Sequence, residues 1–506
     1  MLDSNSMKQA DTNRAFWKPD DAFTRFLCVA VPFVLCFFFL SVPSTMVDEW
    51  FMLNVGHQIQ DWWAQGNFPT YPTRLCNSTH TDWSIVIEQP WTCLIKSWIY
   101  DIGGLRLLSV ANWACATTCV GIIVMWGKHM RNARCGLLMA VFCMAISELL
   151  GLPCRPLIIS MALTALTIWL ASTDNKKKIL ILSPLISLFW IRIHAALWVV
   201  GLGVLLIYSI SDVTVSDWNW KSAWQDRSFM LIAVFLYAAC GPSTSYGVGL
   251  PAFIFKAYTA ASVMYIPEML PPDLLFPSSL MAVFAVYVLI HRARKGDIPV
   301  REFILGLIGA VGIALAARNH PIGAVCLCPA LVGYTFQDGQ HIEDLFTPSD
   351  KGLQRLGIVG IALGLTLAFL LSVLRPIPAD SPTHPQTAGD TLIADAASRG
   401  ITRPRVTAGC TAAAYMQWRG CITDFDGRPE LYMKSLNGKE DYLVSYKEAI
   451  EDGTASVYDL MKSQSCQYVL LTYAEEKPAI YQVKHDDRFT VIYDDQDIAV
   501  VARLNS

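Results

Sequence analysis

Charge is scarce in this chain. Only 16% of its 506 residues are Asp, Glu, Lys or Arg, against roughly a quarter in an ordinary soluble domain. The net charge of −3 is too small to mark a nucleic-acid partner. Compact chemical signatures are missing too. There is no Walker loop, dinucleotide fingerprint, His-Glu-x-x-His or paired Cys-x-x-Cys, so the usual nucleotide, nicotinamide and structural-zinc readings fall away. Internal repeats and low-complexity tracts are also lacking.

What fills the space is apolar. Hydrophobic residues make up 53% of the chain, and the mean hydropathy is +0.38. They come in runs near the length that crosses a bilayer as a helix, at residues 24–44, 104–126, 135–152, 157–173, 179–191, 196–211, 228–242, 276–291, 303–317, 321–336 and 356–374. The fold class expected is mainly α: a polytopic transmembrane helix bundle of about eleven spans with a small C-terminal α/β extracytoplasmic domain. The sixteen tryptophans suit a protein with much surface at the membrane interface.

Alternate connections are basic. One set holds Lys128, Arg131 and Arg134, then Lys176 to Lys178, then Lys221 and Arg227. It continues with Arg292, Arg294, Lys295 and Arg301, and ends with Lys351 and Arg355. The positive-inside rule puts that set and the N-terminus in the cytoplasm and the C-terminus outside. The chain is therefore expected in the plasma (inner) membrane, multi-pass, its first apolar run an uncleaved anchor.

The bundle is expected over residues 1–375, with a tryptophan-rich outer loop at 43–102. Prolines 376, 378, 382 and 385 suggest a stiff linker over 376–390. Residues 391–506 read as the extracytoplasmic domain, with strands at 468–472, 489–493 and 498–502 and helices at 411–418 and 443–451. Cys76 with Cys93, and Cys410 with Cys421, fall on the outer side, where either disulfides or free thiols fit. Asn77-Ser78-Thr79 matches a glycosylation acceptor on that side.

Charges at membrane depth are expensive and mark function. On this topology several gather at the outer end of the bundle: Asp48 and Glu49, Arg155, Arg192 with His194, and Arg318 with His320. His57 lies further along the outer loop, while Lys256 and Glu268 fall in a second long outer segment. Three basic turns placed against the positive-inside bias, converging on an acidic pair, suggest a site for an anionic group. A guanidinium grips phosphate through paired hydrogen bonds, and a carboxylate beside it can serve as general base towards a hydroxyl. Against this stands a purely structural reading in which the arginines snorkel to the interface or pair with the acids.

Several stretches resemble the C-type glycosyltransferase superfamily, in particular a group of bacterial multi-pass proteins. They begin with Val47-Asp48-Glu49-Trp50, running on to Val55-Gly56. Gly66-Asn67-Phe68-Pro69, Gln89-Pro90-Trp91 and Gly103-Gly104 follow, then Arg155-Pro156, Trp190 to His194, Gly241-Pro242 and Tyr246-Gly247. In the tail they are Asp426-Gly427-Arg428, Glu430-Leu431-Tyr432 and Tyr468 to Leu471. The resemblance implies sugar transfer from a polyprenyl-phosphate sugar donor to a glycan, lipid or protein acceptor at the outer face, with inversion. It makes Asp48 the base and Glu49 its catalytic neighbour. Relatives often carry a second acid and a histidine where this chain has Met46 and Met52, so no metal is assigned and a divalent cation stays open as cofactor. Substrate binding is then expected from Arg155, Arg192, His194, Arg318, His320 and His57. The rival class is a non-enzymatic transporter of lipid-linked saccharides or a cell-envelope assembly scaffold.

Overall fold

The computed structural model describes residues 18–41, 47–74, 77–147, 154–217, 227–260, 264–273, 275, 277–332, 334–335, 341–342, 348, 350–378 and 380–505. Cys76 and the start of the Cys154 turn lie outside them. Each of the eleven apolar runs overlaps a helix, although residues 42–44, 148–152, 276, 333 and 336 of those runs lie outside the described residues. Helix α1 is Ala22–Leu40, α2 is Val47–Trp62 in the outer loop, and α3 is the long Pro90–Met130. Then come α4 Ala133–Ser147, α5 Leu157–Ser172, α6 Lys176–Ile193, α7 Trp198–Ile207 and α8 Phe229–Ala239. Helix α9, Gly249–Thr259, belongs to the second outer segment; α10 Pro277–Lys295, α11 Val300–Leu315, α12 His320–Val332 and α13 Lys351–Leu374 complete the bundle. Helices α1, α3 and α13 are long and apolar enough to cross a membrane by themselves.

Helix α3 begins well before its apolar run because it is two helices joined at a kink. Gly103 and Gly104 carry non-helical angles there, and Gly104 sits at φ +61°, a region a side chain would resist. Residues 90–102 thus form a separate arm that α2 packs against. Contact is close: a Cβ on Gly56 would collide with the Cys93 carbonyl and stand 2.5 Å from Ser97 Oγ.

Beyond α13 the chain folds into a five-stranded sheet of order β4-β3-β5-β7-β6. Its strands are β3 Arg405–Ala408, β4 Ile422–Thr423, β5 Tyr468–Thr472, β6 Phe489–Asp494 and β7 Ala499–Leu504. β3 runs parallel to β4 and β5, while β7 is antiparallel to β5 and β6. Residues read as a stiff linker instead hold the hairpin β1–β2 (Asp380–Ser381 with His384–Pro385) and the start of α14, Gln386–Ser398. Pro385 stands just before that helix, where its fixed φ does no harm. Helix α15, Cys410–Trp418, follows β3. Cys410, Cys421 and Cys93 are free thiols, so Cys410 and Cys421 form no bridge.

The domain is seated on the segment that holds α2 and residues 77–79. Ser78 bridges in parallel to Thr423 of β4, with the Thr79 amide donating to the Thr423 carbonyl and the Thr423 amide to the Asn77 carbonyl. Asn54 Nδ2 donates to Gln417 Oε1 at 2.9 Å, both residues buried. One apolar core fills the bundle; a second is shared by α2 and the domain, joining Trp50, Met52 and Leu53 to Tyr415, Met416 and Tyr432.

Candidate active site

A cavity of about 130 Å³ lies where one end of the bundle meets that domain. Four carboxylates line it, Asp48, Glu88, Glu268 and Glu430, with three guanidiniums, Arg155, Arg318 and Arg428, and the imidazole of His194. Its walls come from α2, the segment before α3, the turn before α5, the second outer segment, the turn between α11 and α12, and the loop 427–430.

Asp48 reaches it because Glu49 is anchored elsewhere. Glu49 is fully buried, and both its oxygens accept from Lys96 Nζ at 2.7 and 2.8 Å. Asn112 Nδ2 donates to it at 2.6 Å, and the same ammonium donates to the Cys154 carbonyl at 2.6 Å. Successive residues of a helix point about 100° apart, so a Glu49 clamped onto α3 turns Asp48 to the cavity. This corrects the expectation for Glu49: its carboxylate holds α2 in place and does not line the cavity.

Arg155 Nε lies 2.5 Å from Asp48 Oδ2, and its Nη1 donates to Glu268 Oε2 at 2.5 Å. Arg318 is bound differently. Among the described residues no carboxylate oxygen is within ion-pair distance; its Nη1 contacts Met269 Sδ at 3.4 Å, and its guanidinium sits 5.8 Å from the Tyr258 ring centre. Arg428 is committed to Asp426, at 2.5 Å from Nη2 to Oδ2. His194 Nδ1 shares a 2.8 Å hydrogen bond with Ser160 Oγ, which also accepts from Trp190 Nε1.

Burial raises the Asp48 carboxyl above its ordinary value, while Arg155 and, less strongly, Lys96 and Arg318 offset the rise. Glu268 is also pushed up by burial, but Arg155 and Arg318 outweigh that and leave it below the usual range. Glu88 and Glu430 are raised by burial, and the charge of Glu88 raises Glu430 further. Two carboxyls in each other's field favour sharing one proton.

Of the expected site residues, Asp48, Arg155, His194 and Arg318 come together. Arg192 and His320 do not. Each stands two positions from a residue that does face the cavity: Arg192 is in the last turn of α6 whereas His194 leaves that helix at φ −161°, and Arg318 lies in the short turn before α12, which His320 begins. Arg192 donates to Leu188 and Ser243 and faces a neighbouring aromatic groove, whereas His320 is buried with Nε2 unpartnered. His57, two and a half turns from Asp48, pairs with Asp101 at 2.8 Å on the far face of α2. Lys256 does not line the cavity, while Glu268 does. Glu88 was missed because its sequence context gives no signal. Arg428 and Glu430 stood only within the tail motifs.

Among the described residues no group of three or more His, Cys, Asp or Glu side chains could hold a metal ion.

No protein-family model matches the chain, and no curated protein matches it by sequence. Among solved structures it is similar to ArnT from Cupriavidus metallidurans bound to undecaprenyl phosphate, at TM-score 0.51 and 13% identity over 95% of this chain and 98% of that one. Archaeal oligosaccharyltransferase AglB from Archaeoglobus fulgidus, in complex with an inhibitory peptide and a dolichol-phosphate, aligns at TM-score 0.49 and 9% identity, over 94% of this chain and 74% of that one. The likeness to ArnT runs end to end: the chain has the C-type glycosyltransferase fold. With its apolar helices, it is a membrane protein.

Proposed function

We propose that the chain is a membrane glycosyltransferase that moves a hexosyl or pentosyl unit from a polyprenyl-phosphate donor to an acceptor hydroxyl at the outer face, with inversion. The observation that carries this is a cavity holding the Asp48 carboxylate beside Arg318, a guanidinium with no carboxylate partner among the described residues. Half-buried, with the charges of Glu268, Glu88 and Glu430 acting on it only from beyond ion-pair contact, Arg318 keeps its guanidinium fork open, and a phosphate oxygen is the anion that planar fork suits. ArnT was solved with undecaprenyl phosphate, a ligand of that chemistry.

In this reading the donor phosphate takes Arg318 and competes with Asp48 for Arg155. Released from Arg155, Asp48 accepts the acceptor's hydroxyl proton as that oxygen bonds to the anomeric carbon. The bond from that carbon to the phosphate oxygen breaks, and its electron pair leaves on the polyprenyl phosphate. Attack opposite the leaving group inverts the anomeric centre. The growing negative charge is met by fixed guanidiniums in a site shielded from water. Glu88 and Glu430 stand as hydrogen-bond acceptors for the sugar hydroxyls. The described carboxylates do not fit a metal site: Asp48 and Glu268 share Arg155, and no three acidic, His or Cys side chains among the described residues converge.

Charges gathered at one face, with Glu49 spent on structure, favour the enzyme over a transporter, which would place its charged or broken positions near the midplane. Binding of the carrier phosphate, the leaving group of this reaction, is the test. Undecaprenyl phosphate titrated onto the purified chain and read by native mass spectrometry should bind, and Arg318→Ala should weaken it about tenfold or more. Equal binding by the variant removes the arginine from the site.

A further inference from the structure

We propose a second ligand site, for a neutral saccharide, on the face of α2 that turns away from Asp48. Trp50 is two residues beyond Asp48 and so points about 200° around the helix from it. It forms part of the wall of a separate pocket of about 500 Å³, between α2, the arm at the start of α3, the hairpin β1–β2 and the end of α15. That volume is ordinary for a small-ligand site.

Five aromatic rings make the pocket. Trp50 meets Trp418 at 5.0 Å between ring centres, Tyr415 at 5.0 Å and His384 at 5.2 Å. Tyr100 stands edge-on to Trp418 at 5.6 Å. Trp418 and Tyr100 are half-buried, leaving ring surface to a visitor. Trp50 is 1% exposed, yet its Nε1 has no hydrogen-bond partner, and the Nδ1 of buried His384 has none either. Unpaired buried polar groups are costly unless something satisfies them.

The rim sets the class of ligand. Asp390 and Arg419 pair there at 2.5 Å, and Arg419 Nη1 donates to the Tyr415 hydroxyl at 2.8 Å. The guanidinium also lies over the Tyr415 ring, 5.7 Å from its centre. Arg419 opposes the cation that an aromatic cage would otherwise attract, and Asp390 opposes a phosphate. A sugar ring satisfies both constraints. Its C–H face packs on indole and phenol, and its hydroxyls reach the planar polar groups at the rim, giving an apolar body with a few placed polar contacts. The site does not depend on Asp48 acting as a base.

The test is isothermal titration of the full chain in nanodiscs with neutral gluco-, manno-, galacto- and arabino-oligosaccharides. One series should bind. Trp418→Ala and Asp390→Asn should each weaken it at least about tenfold, while Asp48→Asn leaves it unchanged and distinguishes this pocket from the transfer cavity. Melting curves identify any variant that fails to fold. If Trp418→Ala fails, the solvent-facing Asp390→Asn decides. No binding by any series, binding indifferent to the pocket variants, or binding lost in Asp48→Asn each overturns the proposal.

Discussion

Asp48 can accept a proton only as a carboxylate, and burial raises its pKa while Arg155 offsets the rise. The sign follows directly. Activity should be present above that raised pKa and fall as pH drops through it, so the acid limb of kcat/KM is expected above the ordinary Asp value of about 3.9. Glu476, in the C-terminal domain, gives a stability test of the same physics. Burial lifts it to about 7, although the Thr472 amide and hydroxyl both donate to it. A group whose folded pKa is raised stabilises the fold at low pH and loses that contribution as pH climbs through the folded value. Chemical denaturation between pH 4 and 8 should therefore show a loss of up to ~3 kcal/mol. Glu476→Gln, a mimic of the protonated acid, should flatten the curve. At this scale the sequence was partly legible. Arginines placed against the positive-inside bias pointed to Arg155 and Arg318, but which member of Arg192/His194 or Arg318/His320 faces inward depends on where each helix starts.

Helix pairing rests on small residues whose spacing carries the information. In α13, Gly360 and Gly364 sit one turn apart against α1. A Cβ at Gly360 would collide with the Val29 carbonyl, and one at Gly364 would stand 2.7 Å from that of Phe33. Close backbone approach of this kind is how membrane helices associate where lipid offers no hydrophobic drive. Gly360→Leu should cost about 1–3 kcal/mol by overpacking, seen as a lower melting temperature in detergent. An unchanged melt would show that α1 and α13 separate freely. Gly56→Val should act on α2 in the same way but be read in activity, since it shifts the helix that presents Asp48. The apolar runs were legible as elements because twenty apolar residues have few alternatives. The kink at Gly103-Gly104 and the pairing of α1 with α13 were not, because a glycine in sequence does not say which backbone approaches it.

For the molecule as a whole, basic connections and apolar runs implied a bundle with a separate C-terminal domain, and the bundle and sheet are there. What one-dimensional reading could not supply was how the domain sits. Glu430 and Arg428 reach a cavity otherwise built from residues 48–318, and no periodic pattern links positions so far apart. The orientation expected from the positive-inside rule has its own check: a cysteine placed at exposed Lys439 should label from outside intact cells, and labelling only after lysis would invert the topology. The most direct measurement is turnover. Purified protein in nanodiscs is given radiolabelled sugar on a panel of polyprenyl-phosphate donors, with Asp48→Asn beside it. The wild type should show transfer or donor hydrolysis and the variant a loss of at least about a hundredfold, with its melting curve unchanged. Equal turnover by Asp48→Asn, or no turnover and no donor binding by either protein, would contradict it.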